Sequence, residues 1–153
     1  MNKFFVLLAS VFGFLVAPGV HADQINGRWQ VVSQSPTQQE LGILALQSMG
    51  LPVIDADSVV VNTDQQVIIT DQSMAWKSQG PGVSGKYAWP IRQQSNKLLL
   101  DREAVISMLP LHVHQFVPEY FVYSISGGML ELTSSQIPGY GNRAVKYLLE
   151  RND

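Results

Sequence analysis

The sequence predicts an all-β domain, a closed antiparallel meander barrel of about eight to ten strands, with one short helix after the first strand. Apolar and polar residues alternate over most of the chain, which is the period of a strand with one buried face. Turn-forming clusters at 62–64, 94–96, 126–128 and 138–142 separate the alternating runs at close spacing. A meander of this length closes into a barrel or splits into a sandwich, because an open sheet would expose its edges.

Residues 1–22 are typical of a secretory signal peptide. Lys3 precedes an apolar run from Phe4 to Ala17, and Pro18 and small residues lead to a cleavage site after Ala22. The run has 14 residues, whereas a bilayer-spanning helix needs about 20, so we expect no stable membrane insertion. The expected mature protein is a single domain, residues 23–153, that is periplasmic or secreted.

Composition excludes several classes of function. The chain has no cysteine, which rules out disulfides and thiolate metal sites. Its formal net charge is −2 and its charges are scattered singly, so the sequence contains no basic run for nucleic acid. Export would also separate the protein from nucleotide cofactors, and we predict neither a cofactor nor an enzymatic activity.

The first strand and the helix are predicted from adjacent segments. Ile25, Gly27, Trp29 and Val31 share one face of a strand. A helix is predicted near 36–49, with Ser35 as the capping residue, proline at the first helical position and Gly50 as terminator. Its apolar residues, at helical spacing, are Leu41, Leu44, Ala45 and Met49. This stripe either covers or flanks an end of the barrel or packs on its outer wall.

The later strands supply the candidate binding site. Their predicted inner faces are Val59-Val61, Val67-Ile69, Met74-Trp76, Tyr87-Trp89-Ile91, Leu98-Leu100, Phe121-Tyr123-Ile125, Leu130-Leu132 and Val145-Tyr147-Leu149. Binding cavities have apolar walls with a few polar tips, which tyrosine and tryptophan provide. The predicted ligand wall is Met74, Trp76, Tyr87, Trp89, Phe121 and Tyr123. The alternative is that these six side chains fill the barrel as ordinary core.

The segment 102–118 fits neither period. Pro110 and Pro118 interrupt it, and we expect an edge strand kinked by these prolines or an apolar loop that meets a ligand or partner. It contains His112 and His114, which on a strand would project from one face and could ligate Zn²⁺ or Cu²⁺. The chain offers no third histidine after residue 22, so a solvated pair is favoured and no metal site is predicted.

Several short motifs resemble those of the bacterial lipocalin-like proteins, relatives of lipocalins and fatty-acid-binding proteins within the calycin group. The first strand carries Gly-x-Trp at 27–29, and the last is an aromatic-aliphatic strand ending in arginine at 146–151. The segments 85–91, 98–100 and 123–132 are also similar. The resemblance implies a barrel whose first and last strands pair and whose interior can hold a small apolar molecule.

Pairing of the first and last strands would give Gly27, Trp29 and Arg151 a structural role. Trp29, in the Gly27-containing strand, would plug the base of the barrel, and Arg151 could lie over its indole ring. The predicted function is non-enzymatic binding of a small hydrophobic molecule. The alternative is an envelope interaction or inhibitor module with a filled barrel, acting through 102–118 or the helix, and Zn²⁺ or Cu²⁺ binding by His112 and His114 is a weaker one.

Overall fold

The computed structural model describes residues 24–52, 64–79 and 85–152, of which the side chains of 78, 79, 85 and 86 are left aside. The predicted signal peptide at 1–22 and the predicted strand at 59–61 lie outside the described residues. Within the described part of the chain, no helix is long and apolar enough to cross a membrane.

Eight strands of the described chain form a closed antiparallel barrel in meander order. Each strand pairs with the next, and β1 pairs with β8, with Trp29 opposite Arg151 and Val31 opposite Leu149. The predicted fold class and its closure between the first and last strands are therefore confirmed. The strands are β1 Gly27–Ser35, β2 Asp64–Ile69, β3 Ser73–Gln79, β4 Gly85–Gln94, β5 Lys97–Leu100, β6 Tyr120–Ser126, β7 Met129–Ser134 and β8 Lys146–Arg151.

The helix after the first strand, α1, spans Gln38–Ser48. The predicted capping residue, Ser35, is wrong by two positions: the hydroxyl of Thr37 caps the helix and accepts the Glu40 N–H at 3.2 Å. The predicted terminator is confirmed, since Gly50 has φ +73° and the Leu51 N–H donates to the Leu46 carbonyl at 2.9 Å.

Helix α1 flanks the upper end of the barrel, the end at which β1 finishes. Leu41 packs in a small buried cluster with Ile137 and Val145, which belong to the connection between β7 and β8. Leu44 and Tyr140 pack against the same cluster. The apolar stripe therefore fastens the helix to one connection at the upper rim.

The segment 102–118 is helical, so the prediction of an edge strand or loop was wrong. Helix α2 spans Arg102–Ser107, and a 3₁₀ helix spans Leu111–Phe116. The carboxylate of Asp101 caps α2 by accepting the Ala104 N–H at 3.2 Å. Two helices of six residues each are too short to show a 3.6-residue period, and the break at Pro110 hides the pattern further. A second 3₁₀ helix spans Pro138–Tyr140.

The lower end of the barrel is closed by Trp29, which is 1% exposed. Its indole N–H donates to the Ile25 carbonyl at 2.8 Å, and the Arg151 guanidinium lies 4.3 Å from its ring centroid. That guanidinium also donates to the carbonyl oxygens of Gln24 and Asn26, so it ties the incoming chain to the last strand. This geometry joins β1 to β8 through Trp29 and Arg151, and the structural role of Gly27, Trp29 and Arg151 in barrel closure stays a prediction.

Candidate functional site

A cavity of about 430 Å³ lies inside the upper half of the barrel. Its cap comes from the chain between α2 and β6, through Leu109, Val113 and Phe116, and from Ile137 and Tyr140 of the β7–β8 connection. The strands contribute Gln65, Trp76, Tyr87, Trp89, Phe121 and Tyr147. This volume lies within the range of small-molecule sites, which is about 300–1,000 Å³.

A larger depression, of about 740 Å³, lies at the lower end beside Asn26, Arg28 and the turn at 70–71. It opens widely to solvent and runs along the outside of β1 and β2. The upper cavity instead has walls on several sides, and an apolar ligand gains most where it is removed from water. We therefore take the upper cavity as the candidate site.

Strand register explains why large aromatic residues meet in this cavity. Trp76 of β3 lies directly opposite Tyr87 of β4, and Met74 lies opposite Trp89. Residues two apart on a strand share a face, so the four side chains project toward the interior together. The predicted inner faces of β3 and β4 thus turn toward the interior, and Tyr87, which is 45% exposed, lies where the cavity meets solvent.

Trp76 is the centre of the aromatic cluster. Its ring centroid lies 5.1 Å from that of Tyr147, 6.2 Å from Phe121 and 6.4 Å from Trp89. All three pairs are tilted, an arrangement that aromatic rings favour over face-to-face stacking. The cluster makes one rigid side of the cavity.

The structure brings together four of the six predicted ligand residues: Trp76, Tyr87, Trp89 and Phe121 line the cavity. Met74 and Tyr123 share the inward faces but lie in the packed lower half. Met74 is fully buried, and the Tyr123 hydroxyl donates to the Ser95 carbonyl at 2.9 Å in a lower turn. Contact between the four and a ligand stays a prediction.

Sequence reasoning missed Gln65, Tyr147 and Tyr140 as parts of the site, and it named the segment 102–118 as one that meets a ligand or partner without singling out its lining residues. Gln65 was detectable, because counting back two from Val67 along the inward face of β2 reaches it. Tyr147 was placed on an inner face but not in the site. The cap residues had no such signal, since their segment shows no clear period.

Among the described residues that line the cavity, two buried side-chain atoms have no hydrogen-bond partner. They are the indole nitrogen of Trp76 and the side-chain carbonyl oxygen of Gln65. Trp76 as a whole is 8% exposed, so solvent has little access to it. A buried polar group without a partner costs about 1–3 kcal/mol. Trp76 and Gln65 therefore carry a donor and an acceptor that no protein atom satisfies.

Among the described residues that line the cavity, none is charged. Desolvation raises the pKa of Tyr140 and of Tyr147, and the proximity of Tyr140 raises the pKa of Tyr147 further. Both hydroxyls consequently stay neutral at physiological pH. The same desolvation would penalise a charged ligand group placed beside them.

These raised pKa values predict that the protein loses stability in alkali. The ordinary pKa of tyrosine is 10.0, so above about pH 10 the unfolded chain releases protons that the folded chain keeps. The free energy of unfolding should then fall by up to about 1.4 kcal/mol per pH unit for each such tyrosine. Urea unfolding at about pH 9 and about pH 11 measures this slope. Tyr147→Phe should make the slope shallower, and an unchanged slope in that variant would contradict the assignment.

The histidine pair does not have the arrangement that metal binding on a strand requires. His112 and His114 lie in the first 3₁₀ helix, where residues two apart project about 120° apart around the axis. The His114 Nε2 donates to the Leu109 carbonyl at 2.9 Å, and His112 is exposed. The part of the chain that the structure describes has no cluster of three or more potential metal ligands.

The cap is held over the cavity by close packing. The Phe116 and Tyr140 ring centroids are 5.1 Å apart, and Phe116 lies directly against Gly139. Arg102 supports the same 3₁₀ helix by donating to the His114 carbonyl at 3.3 Å. The cap is therefore a packed part of the molecule that contacts the β7–β8 connection.

Gly139→Ala should loosen this cap. The added Cβ would lie 2.3 Å from a ring carbon of Phe116, which must move, and such overpacking costs about 1–3 kcal/mol. Urea unfolding should show this loss in the wild-type background. In a Phe116→Ala background the same substitution should cost clearly less, because the obstructing ring is gone and the remaining close contact is the Gln115 Cγ at 3.0 Å. Equal losses in the two backgrounds would show that the Phe116 contact is not the cause.

No protein-family model matches the chain, and no curated protein matches its sequence. Solved structures with a similar fold include two crystal structures. One is apo lipid binding protein 8 of Caenorhabditis elegans, with 12% identity over 85% of this chain and 96% of that chain, and a TM-score of 0.46. The other is the zebrafish ileal bile acid-binding protein in complex with cholic acid, with 14% identity over 84% and 99% of the two chains and a TM-score of 0.43.

Proposed function

We propose that this protein binds a small, largely apolar molecule in the upper cavity and catalyses no reaction on it. The observation that carries the proposal is the capped cavity of about 430 Å³ with its aromatic wall. Among the described lining residues there is no serine, threonine, histidine, lysine or carboxylate to serve as nucleophile or general base. We further propose that the protein is exported by residues 1–22 and acts in the periplasm or outside the cell.

The energetics of the cavity favour an organic occupant over water. A space of about 430 Å³ corresponds to about 14 water molecules at about 30 Å³ each. A buried water needs two to four polar partners, whereas this wall is mostly aromatic and aliphatic. Apolar surface gains about 25 cal/mol for each Å² removed from water, so a fitting ligand is stabilised by displacing poorly bound water.

Prodan, a neutral naphthyl ketone dye, tests the binding proposal. We expect a blue-shifted emission that saturates at one dye per protein, with a dissociation constant of about 1–100 µM. Native mass spectrometry of protein purified from its own host should also show a co-purified small molecule. An absence of both dye uptake and bound mass would refute the proposal.

A second function is favoured by the exposed apolar side chains of the cap. Leu111 is 83% exposed and Met108 is 63% exposed, in the segment from which a protein-interaction module would act. In that case the cavity would be a packing defect rather than a site. Failure of prodan to bind would leave interaction through this segment as the better-supported function.

A further inference from the structure

Trp76 lines the cavity and carries a buried hydrogen-bond donor that no protein atom satisfies. The Trp76 indole nitrogen is buried and without a partner, and Trp76 also holds the centre of the aromatic cluster that shapes the wall. By contrast, the Trp29 indole N–H at the lower end already donates to the Ile25 carbonyl at 2.8 Å. An indole nitrogen can only donate, so whatever satisfies Trp76 must supply an acceptor.

The described residues that line the cavity provide no counter-charge for an ionised ligand. They include no arginine, lysine or histidine, and burial raises the pKa of both Tyr140 and Tyr147. A carboxylate placed in such surroundings loses its hydration without gaining an ion pair. A carbonyl, ether or hydroxyl oxygen loses far less and can accept from the indole.

We propose that the ligand is a neutral molecule whose aromatic or aliphatic body fills the cavity and whose oxygen accepts a hydrogen bond from the Trp76 N–H. This inference rests on the proposed binding function and adds the chemical class of the ligand. Gln65 lines the same cavity with its own unpartnered carbonyl oxygen, so a ligand that also carries a donor, such as a hydroxyl, has a second place to bond.

Three naphthalene derivatives of similar size separate the components of this proposal. Methyl naphthyl ketone has an acceptor, ethylnaphthalene has nearly the same shape without one, and naphthoate carries a negative charge. Calorimetric titration of the full chain should give at least about tenfold tighter binding for the ketone than for either of the others, which corresponds to about 1.4 kcal/mol. Trp76→Phe should reduce the ketone-to-ethylnaphthalene ratio to below about threefold, because the ring is kept and the donor is lost. Trp29→Phe makes the same substitution in a tryptophan that does not line the cavity, so it should leave the ratio unchanged.

Nuclear magnetic resonance of the unaltered protein gives a test that needs no variant. The indole N–H signal of Trp76 should move downfield on adding the ketone and should move less with ethylnaphthalene. The Trp29 signal is an internal reference, since its N–H is already bonded at the opposite end of the barrel. Movement of the Trp76 signal with the ketone alone supports the assignment.

The possible outcomes separate the proposed hydrogen bond and ligand class from the proposed binding function. Equal affinity for ketone and ethylnaphthalene, or a ratio that survives Trp76→Phe, overturns the hydrogen bond while leaving an apolar binding protein. Naphthoate binding as tightly as the ketone overturns the neutral ligand class. Failure of all three compounds and of prodan to bind overturns both the inference and the proposed function.

Discussion

Replacing Trp29 by alanine should lower the free energy of unfolding by about 3–5 kcal/mol, because it removes a large side chain that is 1% exposed at the base of the barrel. The loss includes the hydrogen bond to the Ile25 carbonyl and the contact with the Arg151 guanidinium. The free energy of unfolding of a domain is only about 5–15 kcal/mol, so this single change would remove a large part of it. Urea unfolding followed by circular dichroism measures it.

Two milder substitutions divide this loss into its parts. Trp29→Phe keeps an aromatic ring at the base and removes the indole N–H, so it should cost clearly less than the alanine variant. Arg151→Met keeps most of the side-chain stem but removes the cation, whose contact with the ring contributes about 0.5–1 kcal/mol at an exposed site. Its hydrogen bonds to Gln24 and Asn26 are lost as well, so we expect a total of about 1–2 kcal/mol.

Binding should be unaffected by these changes at the base. Trp29 is not among the residues that line the cavity, and the cavity lies in the opposite half of the barrel. Whatever fraction of Trp29→Ala remains folded should bind prodan within about twofold of the unaltered protein. A loss of less than 1 kcal/mol in stability, or a large loss of affinity without unfolding, would show that the base of the barrel has another role.

The alternation of apolar residues was enough to predict an antiparallel meander and the faces of its strands, whereas the choice of a barrel over a sandwich came from the family resemblance. The period of two persists through β3, β4 and β6, so the inward direction of Trp76, Tyr87 and Phe121 follows from the sequence. Closure between β1 and β8 was predicted from the Gly-x-Trp strand and the final arginine. The family resemblance from which that prediction came stays an expectation.

Depth along the barrel could not be predicted in the same way. Met74 and Trp76 lie on the same face of β3, yet the first belongs to the packed lower half and the second to the cavity. The hydrophobic pattern reports which face is buried but not how far along the axis the packing ends. That boundary depends on which side chains the neighbouring strands and the cap bring to each level.

The cap was the least predictable part, for a physical reason. Helix α2 and the first 3₁₀ helix have no more than two turns each, which is too little chain for a helical period to emerge. The N-capping residue Asp101 was the local sequence signal that remained for helix α2. The apolar residues around Pro110 made this signal hard to recognise. The prediction that His112 and His114 share a face was wrong for the same reason, because it assumed that this short segment has an extended backbone.

Val113→Trp should lower the affinity for prodan at least tenfold while changing stability by no more than about 1–3 kcal/mol. Val113 belongs to the cap and lines the cavity, so a larger ring at this position occupies space that the ligand needs. Leu111→Trp is the matched control, because it adds the same side chain to the same 3₁₀ helix at a position that is 83% exposed. That variant should bind prodan as the unaltered protein does. Equal affinity of the Val113 and Leu111 variants would mean that the dye binds elsewhere, and the upper cavity would then no longer be the site.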